Sequence, residues 1–151
     1  MITLTELDAR HLDAVHGIEV AATSDPWSRS LFEAELADGG PARHWLVAEQ
    51  RGQVIGFGGL LFVVDEAHVM NLAVTPELQR TGVASALLSR LLLDAGDRGA
   101  TGVTLEVRAS NRPAIALYQR FGFTEAGRRP KYYADGEDAV CLLYTSDAAD
   151  D

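Results

Sequence analysis

The chain has 151 residues, 47% of them hydrophobic and 23% charged, with a formal net charge of −9; this is the composition of one soluble globular domain. Such acidity argues against a broad basic surface for nucleic acid, and no apolar run approaches the roughly 20 residues that a bilayer span needs. The single cysteine, Cys141, leaves no internal disulfide and no four-cysteine zinc site.

Residues 1–6 alternate as a short opening strand. Asp8 can cap a helix over residues 9–22, with Leu12, Val15 and Ile18 as its buried stripe. Ser24-Asp25-Pro26-Trp27-Ser28 breaks the chain, and Ser30 with Glu33 has capping-box spacing for a second helix. Two apolar runs, 44–49 and 53–62, are split by Arg51-Gly52 and read as an antiparallel hairpin. A further strand over 67–74 ends at Thr75-Pro76. Val83, Leu87, Leu88, Leu91 and Leu92 then recur at helical spacing. Residues 103–107 are β-like, Pro113 opens a helix that Gly122 closes, and strands near 124–129 and 138–143 end the domain. The order predicts an α/β domain on a mixed sheet over residues 1–143. The remainder, 144–151, is an acidic tail expected to be disordered or foreign to the domain.

The segment from Asn71 to Ala84 runs from a strand through a turn into a helix at a cluster of small residues. A helix N-terminus offers unpaired N–H groups and partial positive charge, so this turn can hold an anion. Gly82 and Ala84 would let phosphate oxygens approach the backbone, and Arg80 could add a charged contact. A plain tight turn has the same outline, and neither a P-loop nor a three-glycine dinucleotide fingerprint is present. Gln79-Arg80-Thr81-Gly82-Val83-Ala84 resembles the pyrophosphate-binding signature of the GNAT N-acetyltransferase superfamily, with alanine at the last small position. The resemblance implies a mostly antiparallel mixed sheet with splayed middle strands flanked by helices. It also implies acetyl-CoA as donor, held by Leu72, Ala73 and Val74 on the strand and by Gln79, Arg80, Thr81, Gly82, Val83, Ala84 and Ser85 at the turn.

Glu106 lies inside an apolar strand and Tyr118 within the helical stripe Ala114, Leu117, Tyr118, Phe121. On spacing alone they read as an outward-facing strand residue and a core aromatic. Chemistry gives them a second reading, because acyl transfer from a thioester to an amine needs a base for the amine and an acid for the departing sulfur. A protein α-amine has a pKa of roughly 7.7–8.0 against about 10.4 for lysine, so freeing lysine at pH 7 costs about 3 kcal/mol more. One glutamate is enough for an α-amine.

Residues 105–123, with Pro26-Trp27-Ser28, Asp65-Glu66-Ala67 and Arg128-Arg129-Pro130-Lys131-Tyr132-Tyr133, resemble the ribosomal-protein alanine N-acetyltransferases, the RimI type. The resemblance runs from about residue 2 to 143. It implies Glu106 as general base, Tyr118 as general acid and Asn111 as a cofactor contact. Trp27, Ser28, Tyr132 and Tyr133 would then flank the acceptor, their other roles being a packed tryptophan and a hairpin plug. The implied reaction is direct transfer to a protein N-terminus, without a covalent acyl-enzyme, and with a backbone N–H near Leu72 or Val74 polarising the carbonyl.

No metal is expected: His68 beside Asp65 and Glu66 reads as a polar strand entry, and His11, His16 and His44 as solvated. Cys141 reads as a small buried hydrophobe. Arg128, Arg129 and Lys131 read as a solvated basic loop, with a cofactor phosphate or an acidic side chain as alternative partners. Without a basic-then-apolar leader, the expected compartment is the cytoplasm, and neither nucleic acid nor membrane is an expected partner. The rival functions are acetylation of lysine or a small-molecule amine, a non-catalytic acetyl-CoA sensor, and a plain interaction module. The oligomeric state stays open.

Overall fold

A computed structural model describes residues 1–145; the expected tail beyond lies outside the described residues. The strands are β1 (Thr3–Glu6), β2 (Arg43–Gln50), β3 (Gln53–Val63), β4 (Glu66–Val74), β5 (Gly102–Arg108), β6 (Thr124–Arg129) and β7 (Ala139–Thr145). The helices are α1 (Leu12–Ala22), α2 (Arg29–Asp38), α3 (Val83–Asp97) and α4 (Arg112–Arg120). All seven strands form one sheet in the order β1-β2-β3-β4-β5-β7-β6, in which only β4 and β5 run parallel.

Period-2 alternation builds a core on each face of this sheet. On β2, Trp45 and Val47 face α1 and α2, joining Val15, Ile18, Phe32 and Phe57. Leu46 and Ala48 face the other way, toward Leu87, Leu88 and Leu91 of α3 and Tyr118 of α4. The five consecutive buried residues of β2 are therefore a strand covered on both sides.

Two local readings of the chain need correction. The cap of α2 is Ser28, not Ser30: Ser28 is extended and its Oγ accepts the Leu31 N–H at 3.2 Å. The last strand runs to Thr145, because Tyr144 pairs with Val103 and packs on the Phe123 ring at 5.6 Å.

One close approach is absolute. Gly59 is paired with Trp45, and a Cβ there would stand 2.2 Å from the indole. That ring cannot step aside, since Nε1 donates to Glu35 Oε1 at 3.1 Å and Phe32 and Phe57 pack around it. Gly59→Ala is expected to destabilise the fold by about 3 kcal/mol, the upper part of the overpacking range. An unchanged denaturant midpoint would refute this packing.

Two irregularities shape the middle of the sheet. Between β3 and β4 the register shifts, so that Gly59 faces Asn71 while Leu60 faces Val69 and Met70 is the extra residue of a bulge. Between β4 and β5 the pairing covers only Glu66 to His68 against Gly102 to Thr104. Beyond that point the two strands part, and β5 continues against β7 as far as Arg108. The outer edge of β4 from Val69 to Val74 is left open, which is what an extended ligand needs to add as a strand.

Candidate active site

The turn after β4 leads, without a side-chain cap, into the first turn of α3. Thr75 and Pro76 lead into a short 3-10 turn, and Gln79 Nε2 donates back to the Val74 carbonyl at 3.4 Å. Arg80 and Gly82 both have left-handed backbones, with φ of 66° and 95°. Gly82 is the N-cap of α3 and so offers no side chain to its first turn, which also carries no acidic residue. The N–H groups of Val83, Ala84 and Ser85 thus lack a side-chain cap, and no atom lies within 4 Å of where a Cβ on Gly82 would sit. An open backbone and the positive end of a 15-residue helix meet at one spot. Next to it lies the free edge of Leu72, Ala73 and Val74. A phosphate-bearing ligand with an extended arm fits this pair of features.

Glu106 stands on β5 just past the point where β4 and β5 part. Its side chain is 15% exposed, with His68 Nε2 at 3.6 Å from Oε1 and the Tyr132 hydroxyl donating to the same oxygen at 3.5 Å. His68 is held in turn by Thr104 Oγ1 at 3.0 Å from Nδ1. The pleat explains the grouping: His68 pairs with Thr104, and Glu106 is two residues on, hence on the same face.

Tyr118 is 8% exposed on α4, edge-on to Phe123. Burial, followed by the neighbouring Tyr133 phenol, pushes its hydroxyl up to about 12. It therefore keeps its proton throughout the neutral range and is available as a donor. Asn111 caps α4, its Oδ1 accepting the Ala114 N–H at 3.3 Å, and Pro113 fits the first turn, where its missing N–H costs nothing.

Two loops approach the open end of the strands. Trp27 packs on Phe32 and Trp45 at 5.2 and 5.8 Å, so it is anchored in the aromatic core, while Ser28 spends its hydroxyl on the α2 cap. On the other side, Tyr132 and Tyr133 make an edge-on pair at 5.1 Å, with the Arg108 guanidinium 4.2 Å from the Tyr133 ring centroid. Arg108 also binds Asp135 at 2.8 Å and Glu137 at 3.0 Å and reaches Asp25 at 3.9 Å. One guanidinium thus ties together the loop before α2, the end of β5 and the loop before β7. The hydrogen bonds that Asp135 and Glu137 accept hold both carboxylates below their usual range: the Glu137 backbone N–H acts first on Asp135, and the Ser110 contact first on Glu137, with Arg108 adding to both. Burial raises the half-buried Tyr133 phenol.

Several residues sit differently from their sequence reading. His68 is a neighbour of Glu106 rather than a mere strand entry. His11 and His44 are buried, not solvated: His11 Nδ1 accepts the Asp8 N–H at 3.0 Å, and His44 Nε2 lies 2.7 Å from Asp94. Cys141 is half-buried and directly across the ladder from Glu106, beside the Arg129 guanidinium. Sequence reasoning gave no role to Glu19 or to Asn71. Glu19 is 3% exposed and accepts from the Trp27 N–H at 2.9 Å and from Asn71 Nδ2 at 3.1 Å. The signal was present, for Leu12, Val15 and Glu19 share one helical face, and a carboxyl in an apolar stripe is rare without a purpose.

A parted parallel pair, an uncapped helix at the end of the open strand and a carboxylate in the gap make a site that suits an extended anionic ligand. Residues 12–123 match the acetyltransferase (GNAT) family, and the chain belongs to that family. It is 39% identical over 147 residues to the [ribosomal protein bS18]-alanine N-acetyltransferase of Escherichia coli strain K12, covering 94% of this chain and 96% of that one. It is 35% identical over 144 residues to the N-alpha-acetyltransferase RimI of Mycobacterium tuberculosis strain H37Rv, covering 92% and 87%. The crystal structure of the ribosomal-protein-S18-alanine N-acetyltransferase from Escherichia coli superposes with a TM-score of 0.88 at 38% identity, over 96% of this chain and 94% of that one. The chain is thus an acetyltransferase of the GNAT fold. No helix among the described residues is long and apolar enough to cross a membrane.

Proposed function

We propose that the chain transfers the acetyl group of acetyl-CoA to the N-terminal α-amine of a protein, with the N-terminal alanine of a small-subunit ribosomal protein as its acceptor. The observation that carries this reading is Glu106, a carboxylate with no cationic lysine or arginine within ion-pairing distance among the described residues, standing where β4 and β5 part. The Escherichia coli relative, named for bS18 alanine, supports the choice of acceptor.

Acetyl-CoA lies with its extended arm along Leu72, Ala73 and Val74. Its pyrophosphate rests on the turn from Gln79 to Ser85, near Arg80, and Asn111 borders it from α4. The acceptor enters from the opposite side, between Trp27 and Ser28 on one loop and Tyr132 and Tyr133 on the other. Glu106 takes a proton from the amine, and the nitrogen lone pair forms the new bond to the acetyl carbon. The Leu72 N–H polarises the carbonyl oxygen. The tetrahedral adduct sheds the second proton of its nitrogen to solvent and collapses with cleavage of the C–S bond, while the Tyr118 hydroxyl donates a hydrogen bond to the departing sulfur, which takes its own proton from solvent. The products are an N-acetyl peptide and coenzyme A, and no acyl-enzyme forms.

The test is mass spectrometry of a peptide with a free N-terminal alanine and an internal lysine, incubated with acetyl-CoA and the enzyme. A single acetyl group on the α-amine is expected. Acetylation of the lysine would move the acceptor class. Cofactor binding without product from a panel of amines would leave a sensor, and no cofactor binding at all would leave an interaction module.

A further inference from the structure

Glu19 has no part in the proton transfers above, yet it is among the most deeply buried charged residues of the fold, 3% exposed on the inner face of α1. A carboxyl group surrounded by Leu12, Val15 and Ile18 is costly, and an apolar residue of similar size would serve packing alone better. Where its two oxygens point explains its presence. Oε2 accepts the Trp27 N–H at 2.9 Å, in the loop that would grip the acceptor. Oε1 accepts Asn71 Nδ2 at 3.1 Å, on the strand that would carry the donor. The Met70 bulge shifts the register of β4 at this point. The other end of the Asn71 carboxamide, Oδ1, accepts the Leu72 N–H at 2.9 Å. An unbroken run of hydrogen bonds therefore joins the Trp27 N–H to the Leu72 N–H.

We propose that Glu19 is a positioning residue that couples occupancy of the open edge of β4 to the order of the acceptor loop, acting through Asn71. The inference rests on the reading above that acetyl-CoA lies along Leu72 and the acceptor against Trp27. In the free enzyme the Leu72 N–H is satisfied by Asn71. When the acetyl carbonyl takes that N–H, Asn71 gives it up, its carboxamide turns fully to Glu19, and the carboxyl group fixes the Trp27 N–H more firmly. Donor binding thereby prepares the acceptor side, and the acceptor binds better second.

Amide hydrogen exchange over residues 23–28, with and without acetyl-CoA, tests this in the wild type, Glu19→Gln and Asn71→Ala. Gln keeps the shape of Glu19 but offers one oxygen to two donors. Asn71→Ala cuts the link while leaving the Glu19–Trp27 bond, and it covers the case of a Glu19 variant that does not fold. Acetyl-CoA is expected to slow exchange of the Trp27 amide in the wild type and to bind both variants without slowing it. In steady state, Glu19→Gln should raise the acceptor KM on the order of tenfold, one decade per roughly 1.4 kcal/mol, with the acetyl-CoA KM little changed. An equal response of the loop in all three proteins, or no response in the wild type with acetyl-CoA bound, overturns the coupling alone. Failure of the wild type to bind acetyl-CoA overturns the functional reading and the coupling with it.

Discussion

Glu106→Gln is expected to lower kcat/KM for an alanyl peptide by roughly 10²–10⁴, the usual range for loss of a positioned base. Gln preserves volume and can still accept the Tyr132 hydroxyl that now reaches Oε1 at 3.5 Å, so the pocket should keep its shape. What is lost is basicity alone. Because Glu106 is on β5 and the anion turn is on the far side of the parted strands, acetyl-CoA affinity should stay at the wild-type value. The pH dependence gives a second readout. A free α-amine titrates at roughly 7.7–8.0, so raising the pH from 7 to 9 increases the neutral fraction by about six- to tenfold and should recover that much of the deficit. Wild-type kcat/KM at pH 7, or a deficit that does not shrink at pH 9, would remove Glu106 from the role of base.

The same carboxylate marks how far the sequence could be read. The order of strands and helices was legible because each element carries its own mark: for β2 a short apolar run split from β3 by Arg51-Gly52, and for α3 a period of 3.6, with Leu87, Leu88 and Leu91. The turn between β4 and α3 was legible because its signals are local, a strand end, a glycine and a helix start within a dozen residues. The neighbours of Glu106 were not. His68 is 38 residues away and Tyr132 26; the first meets Glu106 because β4 pairs briefly with β5, and the second because β7, which follows its loop, pairs along β5. Pairing register between distant strands is set by the whole fold, and nothing in a window of sequence encodes it. The bulge at Met70 is invisible for the same reason, since it is a property of two strands together.

Buried polar residues were the other blind spot, and here the failure was one of weighting. His11, Glu19 and His44 each lie at an apolar-patterned position, and each is buried because a fixed partner meets it: the Asp8 N–H, the Trp27 N–H and Asp94. A sequence reading assigns such groups to solvent because it cannot see the partner. Physical chemistry supplies the converse rule, that a titratable side chain at a core position implies a partner, and applied to Glu19 it would have called for one without saying which.

Tyr118→Phe is expected to reduce kcat by roughly 10²-fold, with little change in the KM of either substrate, because the hydroxyl acts only as the C–S bond breaks. Burial pushes this phenol up to about 12, whereas an ordinary thiol titrates near 8.5. Complete transfer of the proton to sulfur is thus uphill, and the phenol contributes as a hydrogen-bond donor that strengthens as charge builds on the sulfur. Two consequences separate this role from that of a readily ionised acid. First, kcat should show no alkaline limb from Tyr118 below about pH 10, since its proton is retained well past the unfolded value. Second, a folded-state pKa raised above the unfolded one means that the stabilisation is fully present below pH 10 and is lost as the pH rises through about 12. Alkaline unfolding should therefore be less steep in Tyr118→Phe than in the wild type. An acetyl donor with a better leaving thiol, such as an aromatic thioester, needs less help at sulfur and should narrow the gap between the two proteins. An unchanged kcat with acetyl-CoA would leave the departing sulfur without a donor from Tyr118, and an equal loss with both donors would make the hydroxyl a packing element of the α4 face.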